Sequence, residues 1–492
     1  MEIASQSNLS TDVFYPALYG LIQIIHVFTG VGLREIWFFG AVSTYLLHIS
    51  LVILIIRDLT HSNRYALWAG LIAAIPIAGT YLRTINPAQV AVNILIPLVF
   101  YLYINSRRRI HLAVNFMLIL VILILAFFHP LVAIMYGFWL TILEITLWLI
   151  QRSPRNISNE GLKFLRPHNP IVNITPSLII AITWITWVSS FSVWQRNLRA
   201  VIDWLVGESQ TQITKMSILV ERSNLPFMEA AVYAFKQTNG LIIFALLALI
   251  SYPWFFLISK LSSRHLENRR YFLSLYVLLL FSILVSIFVL VGPFGSIDYF
   301  RFARFMIPWT WLLIALVPMN IEVLDKKLRR LIVVILIILL IGTATGGILA
   351  LHPSPFVFKP NDQLTLQELS CMRWISKYGD GLPVKGIWSV KRLAEASLGI
   401  EAAASDVYSR TPLPDHFGYD QYPELSKSVS ESSYIIITNS DRQAVLNLWM
   451  TAEKFSPGDF QKLQSDPSIA LVYQNPECEV WGVYPDQKQA LP

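Results

Sequence analysis

The stretch EIWFFGAVSTYLLHISLVILIIRDLTHSNR, residues 35–64, is an apolar run that ends in a basic loop. An α-helix needs about 20 consecutive apolar residues to cross a bilayer, and about ten runs in this chain approach that length. The predicted spans are residues 35–57, 65–83, 87–104, 111–128, 130–150, 173–194, 238–259, 271–292, 302–319 and 331–351. Together with a hydrophobic fraction of 55%, these runs predict a polytopic α-helical membrane domain over residues 1–351.

Lys and Arg concentrate in alternate loops between these spans. The basic loops are residues 57–64, 105–111, 151–169, 260–270 and 320–330. Cytoplasmic loops of membrane proteins carry an excess of Lys and Arg, so these loops are predicted to face the cytoplasm. Both chain termini then lie outside. The same orientation explains the net charge of +7, so we expect the bilayer as a partner and no nucleic acid.

The N-terminal segment has the features of a helix on the membrane surface. Residues 13–30 are apolar, but Pro16 near the start and His26 inside favour a helix at the outer interface over a full span. An outer N-terminus with no signal peptide and no preceding span is unusual. We therefore expect a further span and a first outer loop upstream of Met1. Between the sixth and seventh spans, residues 195–237 predict short helices on the membrane surface.

From residue 352 the composition becomes that of a soluble domain. A capping box at Thr365 and Glu368 predicts a helix through Tyr378. Further predicted elements are a strand at 384–390, a helix at 391–398, a buried strand at 434–438, a helix from Pro457 and a hairpin at 469–473 and 478–484. This alternation predicts a small extracytoplasmic α/β domain over residues 352–492.

The chain has two cysteines, Cys371 and Cys478, and both lie in the predicted outer domain. A disulfide would persist there, because the outside of a cell is oxidising. Two thiols in one domain need not meet, so the sequence leaves their pairing open. The domain has no glycine-rich phosphate loop and no CxxC motif.

Several stretches resemble those of polytopic glycosyltransferases of the GT-C type, which move a sugar from a polyprenyl-phosphate carrier on the outer face. They are DVFYPALYGLIQIIHVFTG (12–30), TYLRTINPAQVAVNILIPLVFYLYI (80–104), FFHPLVAIMYGFWL (127–140) and RFARFMIPWTWLL (301–313). Two C-terminal stretches, SPFVFKPNDQLTLQELSCMRWI (354–375) and PDHFGYD (414–420), resemble the tail of uncharacterised archaeal and bacterial proteins of this class. The resemblance implies a lipid-linked sugar donor and a glycan, lipid or protein acceptor.

The resemblance also implies a catalytic carboxylate in the first outer loop, upstream of the interfacial helix. Here that region is reduced to MEIASQSNLSTD, which offers Glu2 and Asp12. Asp12 is the candidate that deprotonates or orients the acceptor. Its alternative role is an ordinary helix N-cap or a solvated terminal charge. We expect no covalently bound cofactor, and whether the carboxylate acts through a divalent metal is left open.

Cationic side chains near the outer surface are candidates for binding the lipid phosphate. Arg301 and Arg304 lie three residues apart, so they share one helix face at the outer mouth of the ninth predicted span. Paired guanidinium groups suit a phosphate, which Arg binds bidentately. Arg83 and His129 lie in the same predicted layer. The alternative is that such residues anchor the helices at lipid headgroups.

Two further polar positions have open interpretations. Glu144 is the one acid well inside a predicted span, where it is either functional or protonated and hydrogen-bonded to a neighbouring helix. The Asp415–His416 pair lies in a loop flanked by Pro and Gly, and we interpret it as a turn with fixed geometry.

The sequence thus favours a plasma-membrane glycosyltransferase. A non-catalytic subunit or scaffold of surface-glycan assembly is the first alternative, because the first outer loop is reduced. A transporter is the second. It is disfavoured by the scarcity of buried charges and by the lack of paired half-helices with Gly or Pro breaks.

The predicted topology can be tested by cysteine-accessibility labelling in intact cells. An introduced thiol near Asp441 should react with a membrane-impermeant reagent, and one in residues 151–172 should not. Protection of the thiol near Asp441 would contradict the proposed orientation.

Overall fold

The computed structural model describes residues 16–75, 87–108, 111–152, 174–189, 241–259, 266–291, 304–321, 324–349, 363–399, 406–408, 413–448 and 454–485, with a few positions between 202 and 236. The chain divides into two compact units. The first comprises residues 1–217 and 234–352, and the second comprises residues 218–233 and 353–492. The predicted division at residue 351/352 placed residues 218–233 in the membrane domain, whereas the structure groups them with the second unit.

The first unit is entirely helical in its described part. Its helices are α1 (Pro16–Thr29), α2 (Leu33–Thr60), α3 (Asn63–Ala73), α4 (Pro87–Val90), α5 (Ile96–Arg108), α6 (Leu112–Phe128), α7 (Pro130–Arg152), α8 (Thr175–Val188), α9 (Leu241–Ser259), α10 (Leu266–Val291), α11 (Ile307–Ala315), α12 (Val317–Asn320) and α13 (Lys326–Leu349). A π-helical turn, Ala91–Leu95, joins α4 to α5.

Four helical segments are long and apolar enough to cross a membrane: 33–60, 87–107, 130–149 and 326–349. Shorter apolar helices occur at 16–29, 112–128, 175–188, 241–251 and 273–289 within the described residues. The chain is therefore a membrane protein with several apolar helices. The predicted count of about ten spans is not confirmed and stays a prediction. Most of the predicted outer loop 195–237 lies outside the described residues.

Helix α11 is buried on every face. All residues of Ile307–Ala315 are buried, and the helix packs against α2, α3, α9 and α10. A helix that is hydrophobic all round belongs in the interior of a bundle. The predicted span 302–319 is not one continuous helix. A 3₁₀ turn, Arg304–Met306, precedes α11, and a turn at Leu316 separates α11 from α12. Pro308 and Pro318 stand near the starts of the two helices, where proline is tolerated.

Pro97 explains the π-helical turn before α5. In a regular α-helix the amide of residue 97 would bond the carbonyl of Asn93, but proline has no N–H and its ring clashes with that carbonyl. The chain instead widens locally, and the N–H of Ile96 bonds the carbonyl of Ala91, five residues earlier. The freed carbonyl of Asn93 lies 2.9 Å from Nδ1 of His48 on α2. A carbonyl only accepts, so Nδ1 carries the proton.

The second unit contains a four-stranded sheet with strand order β1-β2-β4-β3. The strands are β1 (Val384–Gly386), β2 (Ser433–Thr438), β3 (Ile469–Asn475) and β4 (Cys478–Val483). Strands β1 and β2 are parallel, and β4 is antiparallel to both β2 and β3. The predicted buried strand and the predicted hairpin are confirmed. The predicted strand 384–390 is shorter, because the chain turns into a helix after β1.

The α-helices whose bounds the structure describes in this unit are α14 (Leu366–Tyr378), α15 (Val390–Leu398), α16 (Asn439–Gln443) and α17 (Pro457–Ser465). Capping boxes at Thr365, Thr438 and Ser456 start three of them. Alternate residues of β2 enter two separate cores, because successive side chains of a strand point to opposite faces. Ile435 and Ile437 belong to one core, and Tyr434 and Ile436 belong to the other. The sheet is therefore covered on both faces.

Cys371 on α14 and Cys478 on β4 form a disulfide, with their Cα atoms 6.5 Å apart. Both cysteines are buried in the core that contains Tyr434. The bridge joins residues separated by 107 positions, so it ties α14 to β4. The pairing that the sequence left open is present.

The PDHFGYD segment forms a left-handed turn. His416 and Phe417 have φ angles of 54° and 53°, and Gly418 has 79°, a region in which residues with a Cβ atom are strained. Phe417 is fully buried. His416 donates its amide to the carbonyl of Lys454 and bonds Asp459 through Nδ1 at 2.8 Å. Burial raises the pKa of Asp459, but hydrogen bonds from Ser456 and His416 outweigh it and lower the pKa below its usual value. The segment is thus held as a structural turn.

Removing the disulfide should destabilise the second unit. Replacing Cys371 and Cys478 together by Ala should lower the free energy of unfolding by about 2–5 kcal/mol, because the unfolded chain regains the freedom of a long loop. Limited proteolysis of the full protein would report this as faster cleavage within residues 363–485. Reductant should accelerate cleavage of the wild type and leave the double variant unchanged. Free-thiol labelling of both cysteines in the native, unreduced protein would contradict the bridge.

The contact between His48 and the Asn93 carbonyl predicts an energetic coupling to Pro97. His48→Phe keeps a ring but leaves a buried carbonyl unpaired, which should cost about 1–3 kcal/mol. In a Pro97→Ala background the new amide can bond that carbonyl, so His48→Phe should cost less. A double-mutant cycle from denaturation in detergent measures the difference. The exposed His111 provides a control: His111→Phe should add to Pro97→Ala without coupling. Additivity of His48→Phe and Pro97→Ala would contradict the interpretation.

Candidate active site

Three of the five predicted site residues, Asp12, Arg83 and Arg301, lie outside the described residues. Arg304 opens the 3₁₀ turn before α11, and only its backbone is described. His129 is described in full. The predicted grouping of these residues in one outer layer therefore stays a prediction, and the following features concern the elements that carry them.

The segment that carries Arg304 runs directly into the interior of the first unit. Phe305 and Met306 are buried, and burial continues without interruption through Leu316. Arginines that snorkel to lipid headgroups stand at the ends of helices on the perimeter of a bundle. By contrast, the chain after Arg304 becomes a central helix. The N-terminus of α11 also presents the positive end of its helix dipole towards Arg304.

His129 occupies the turn between α6 and α7 and is buried. Its backbone is extended, its N–H donates to the carbonyl of Leu125, and its carbonyl accepts from Ala133. The ring nitrogen Nδ1 accepts from the amide of Val132 at 3.3 Å. His129 thus caps the first turn of α7, the ordinary use of a polar side chain at a helix start. Its ring has a positioning role at the turn in addition to any role at a phosphate.

A polar pair that sequence reasoning missed lies in the interior of the first unit. His48 and Asn93 are 0% and 1% exposed. Because Nδ1 of His48 donates to the backbone of Asn93, Nε2 is an acceptor. Nε2 of His48 and Oδ1 of Asn93 have no hydrogen-bond partner among the described residues. The signal in the sequence was a His inside one apolar run and an Asn four residues before a Pro inside another.

Aromatic side chains of α11 pack against this polar pair and beside it. The ring of Trp311 lies 4.2 Å from that of His48, centroid to centroid. Trp309 packs edge-on against Trp139 at 5.0 Å, and Nε1 of Trp139 donates to Oγ of Ser282 at 3.0 Å. Because aromatic rings are large and rigid, these contacts fix α11 against α2 and α7, and α7 against α10. The helix that follows Arg304 is therefore held firmly in its orientation.

Glu144 has a cationic partner. Its carboxylate lies 3.5 Å from the guanidinium of Arg107 at the end of α5, with side-chain exposures of 2% and 21%. The predicted alternatives were a functional acid and a protonated acid bonded to a neighbouring helix. The structure gives a third arrangement, an ion pair between α5 and α7. Burial of an acid without such a partner would be costly.

In the second unit, a buried carboxylate lies at the carboxyl ends of the two parallel strands, where open α/β sheets often bind ligands. Asp441 is 0% exposed. It accepts hydrogen bonds from the amides of Trp388, Ser389 and Thr438 and from the hydroxyls of Ser389 and Thr438. Burial raises the pKa of Asp441, and these hydrogen bonds oppose that rise. With its oxygens fully engaged, Asp441 ties the loop after β1 to the helix after β2.

Within the described ranges, no group of three or more His, Cys, Asp and Glu side chains is arranged to hold a metal ion. Asp12, the acid that the sequence proposes for the catalytic site, is not among the residues searched.

No protein-family model matches the chain, and no curated protein sequence matches it. Solved structures of membrane glycosyltransferases of the GT-C type are similar. The oligosaccharyltransferase AglB of Archaeoglobus fulgidus, in complex with an inhibitory peptide and a dolichol-phosphate, is 13% identical with a TM-score of 0.46, and the match covers 86% of this chain and 61% of that one. The same organism's oligosaccharyltransferase in complex with zinc and sulfate gives 13% identity, a TM-score of 0.44 and coverages of 92% and 62%.

The arabinofuranosyltransferase AftD from Mycobacteria is also similar. The identity is 13%, the TM-score is 0.43, and the match covers 94% of this chain and 35% of AftD. The chain thus spans about three fifths of the archaeal oligosaccharyltransferases and about a third of AftD. The peptide, dolichol-phosphate and zinc belong to those proteins, and similarity at this level assigns no substrate to this chain.

Proposed function

We propose that the protein is a membrane glycosyltransferase that moves a sugar from a polyprenyl-phosphate carrier to an acceptor at the outer surface of the plasma membrane. The acceptor is a glycan, a lipid or a protein. Arg301 and Arg304 bind the phosphate of the carrier, with Arg83 and His129 in the same layer. The second unit, on the outer side, shapes the acceptor site.

The observation that carries this proposal is the uninterrupted burial of residues 305–316 directly after Arg304. A helix end at the lipid-facing perimeter would explain two outer arginines as headgroup anchors. Here the chain enters the centre of the helical unit instead. Arg304 immediately precedes that buried helix in the chain, and we place the carrier phosphate at this end of the helix.

Transfer of the sugar requires positive charge near the carrier phosphate. When the sugar leaves, the carrier phosphate gains negative charge, and fixed cationic donors stabilise that charge best where water is scarce. Two guanidinium groups three residues apart in the chain offer paired N–H donors to phosphate oxygens, which a single lysine does not. The N-terminal end of α11 adds its partial positive charge. Asp12 is the proposed base for the acceptor, directly or through a divalent metal.

The first alternative is a non-catalytic subunit or scaffold in surface-glycan assembly. A scaffold would not need to bind the carrier phosphate. A measurement of carrier binding therefore distinguishes the transferase from the scaffold, even when the sugar and the acceptor are unknown.

The arginine pair can be tested by lipid binding to the full protein in nanodiscs. Wild type should bind a polyprenyl phosphate more tightly than the matching polyprenol. Arg301→Gln should weaken binding of the phosphate by about tenfold, and the double variant Arg301→Gln/Arg304→Gln by more, because a hydrogen bond to a charged group contributes about 1.5–3 kcal/mol. Affinity for the polyprenol should not change.

The matched control is Lys327→Gln/Arg330→Gln. These two residues are exposed on α13, have the same spacing and remove the same charge, but lie on the predicted cytoplasmic side. This variant should bind the phosphate as the wild type does. Equal weakening in both double variants would show a general charge effect and contradict the arginine site. Equal affinity of the wild type for the phosphate and the alcohol would favour the scaffold.

A further inference from the structure

Three aromatic side chains form a continuous surface on the second unit, where α14 packs beside the edge strand β3. Trp374 stacks on Tyr473 with ring centroids 5.4 Å apart and an interplanar angle of 28°. Tyr378, one turn after Trp374, lies 5.8 Å from it and is 58% exposed. Trp374 and Tyr473 are partly exposed. We call Trp374, Tyr378 and Tyr473 the aromatic platform.

The platform is held rigid from within the unit. The Tyr473 hydroxyl lies 3.2 Å from Oγ of Ser370 and 3.4 Å from Nδ2 of Asn475. Asn475 is itself anchored, since its Nδ2 donates to the carbonyl of Gln367 at 2.9 Å and its Oδ1 accepts from the amide of Glu477. The disulfide at Cys371 fixes α14 one turn away. A surface that is already ordered loses little entropy when it binds.

The shape and chemistry of the platform suit a sugar ring. The C–H groups on the face of a sugar are apolar and slightly positive, so they pack on the negative face of an aromatic ring. The sugar hydroxyls at the rim then need polar partners. The ammonium of Lys377 lies over one face of the Tyr378 ring, 5.0 Å from its centroid, and is a polar partner at the platform. Arg373, next to Trp374 in the chain, and Gln474, next to Tyr473, are also exposed.

Other occupants fit less well. An added peptide strand would need a regular edge on β3, but a bulge between Leu471 and Tyr473 interrupts the register there. A protein partner that binds stably buries about 800 Å² on each side, far more than three rings present. A bilayer surface takes Trp and Tyr rings that project outward. Of the platform only Tyr378 is mostly exposed, whereas Trp374 and Tyr473 are stacked on each other.

We propose that the aromatic platform is a binding site for a neutral oligosaccharide, with a sugar ring stacked on Tyr378 and Trp374. The site rests on the proposed function in one respect: in a glycosyltransferase with a glycan acceptor, it would hold the acceptor chain away from the reacting end. Binding at the platform requires neither the carrier lipid nor catalysis. Its test is therefore independent of the arginine site.

Saturation-transfer NMR on the full protein in nanodiscs, with maltohexaose and mannohexaose as probes, tests the platform. At least one probe should receive saturation at its ring C–H protons. Tyr378→Ala should weaken its affinity by about tenfold. Tyr378→Phe, which keeps the ring, should bind as the wild type does. Tyr422→Ala is the matched control, because Tyr422 is 42% exposed and lies outside the platform.

Three outcomes would overturn the proposal. They are no binding of either probe to the wild type, equal loss in Tyr378→Ala and Tyr422→Ala, and retention of binding in Tyr378→Ala. A Tyr378→Ala variant that loses thermal stability in nanodiscs but not in detergent, with unchanged sugar binding, would assign the platform to the bilayer surface. If Tyr378→Ala loses sugar binding but binds polyprenyl phosphate normally, the platform is confirmed. If the wild type binds polyprenyl phosphate but neither sugar, the arginine site alone is confirmed.

Discussion

A backbone polar group inside a bilayer has no water to bond, so its partner must come from the protein. In the first unit this constraint applies to the backbone carbonyl of Asn93. Pro97 removes the amide that would bond Asn93, and His48 from α2 supplies the missing donor. Trp311 then packs on that histidine. Through His48, the segment 87–108 that contains Pro97 is linked to α2 and to the central helix α11.

The burial of α11 is the structural basis for the role proposed for Arg301 and Arg304. Every residue of α11 is buried, so the segment that follows Arg304 is an interior helix and not a helix of the lipid-facing edge. The lipid-facing helices are different: α13, for example, exposes Ile338 and Ile341. Arg304 immediately precedes this interior helix, and the carrier phosphate is proposed to bind at that end of it. On this basis we prefer carrier binding to simple anchoring.

Much of the fold was predictable because its signals are local. Apolar runs mark the helices, and the Thr365–Glu368 capping box and the Pro457 helix start lie where the sequence placed them. The disulfide was not predictable, because it depends on the packing of α14 on β4. The partner of Glu144 was missed because Arg107 had been explained by topology alone. The contact of His48 with Asn93 joins residues 45 positions apart, and nothing in either apolar run specifies its neighbour. Of the candidate site, only the setting of Arg304 and His129 can be compared with the structure.

Photo-crosslinking gives the most direct test of whether a carrier lipid reaches the end of the central helix. A polyprenyl phosphate with a diazirine next to its phosphate would be irradiated with the full protein in nanodiscs, and labelled peptides would be mapped by mass spectrometry. We predict adducts in residues 298–306 that excess polyprenyl phosphate removes and excess polyprenol does not. Adducts confined to lipid-facing positions of α13, or labelling unaffected by the phosphate, would contradict the proposed site.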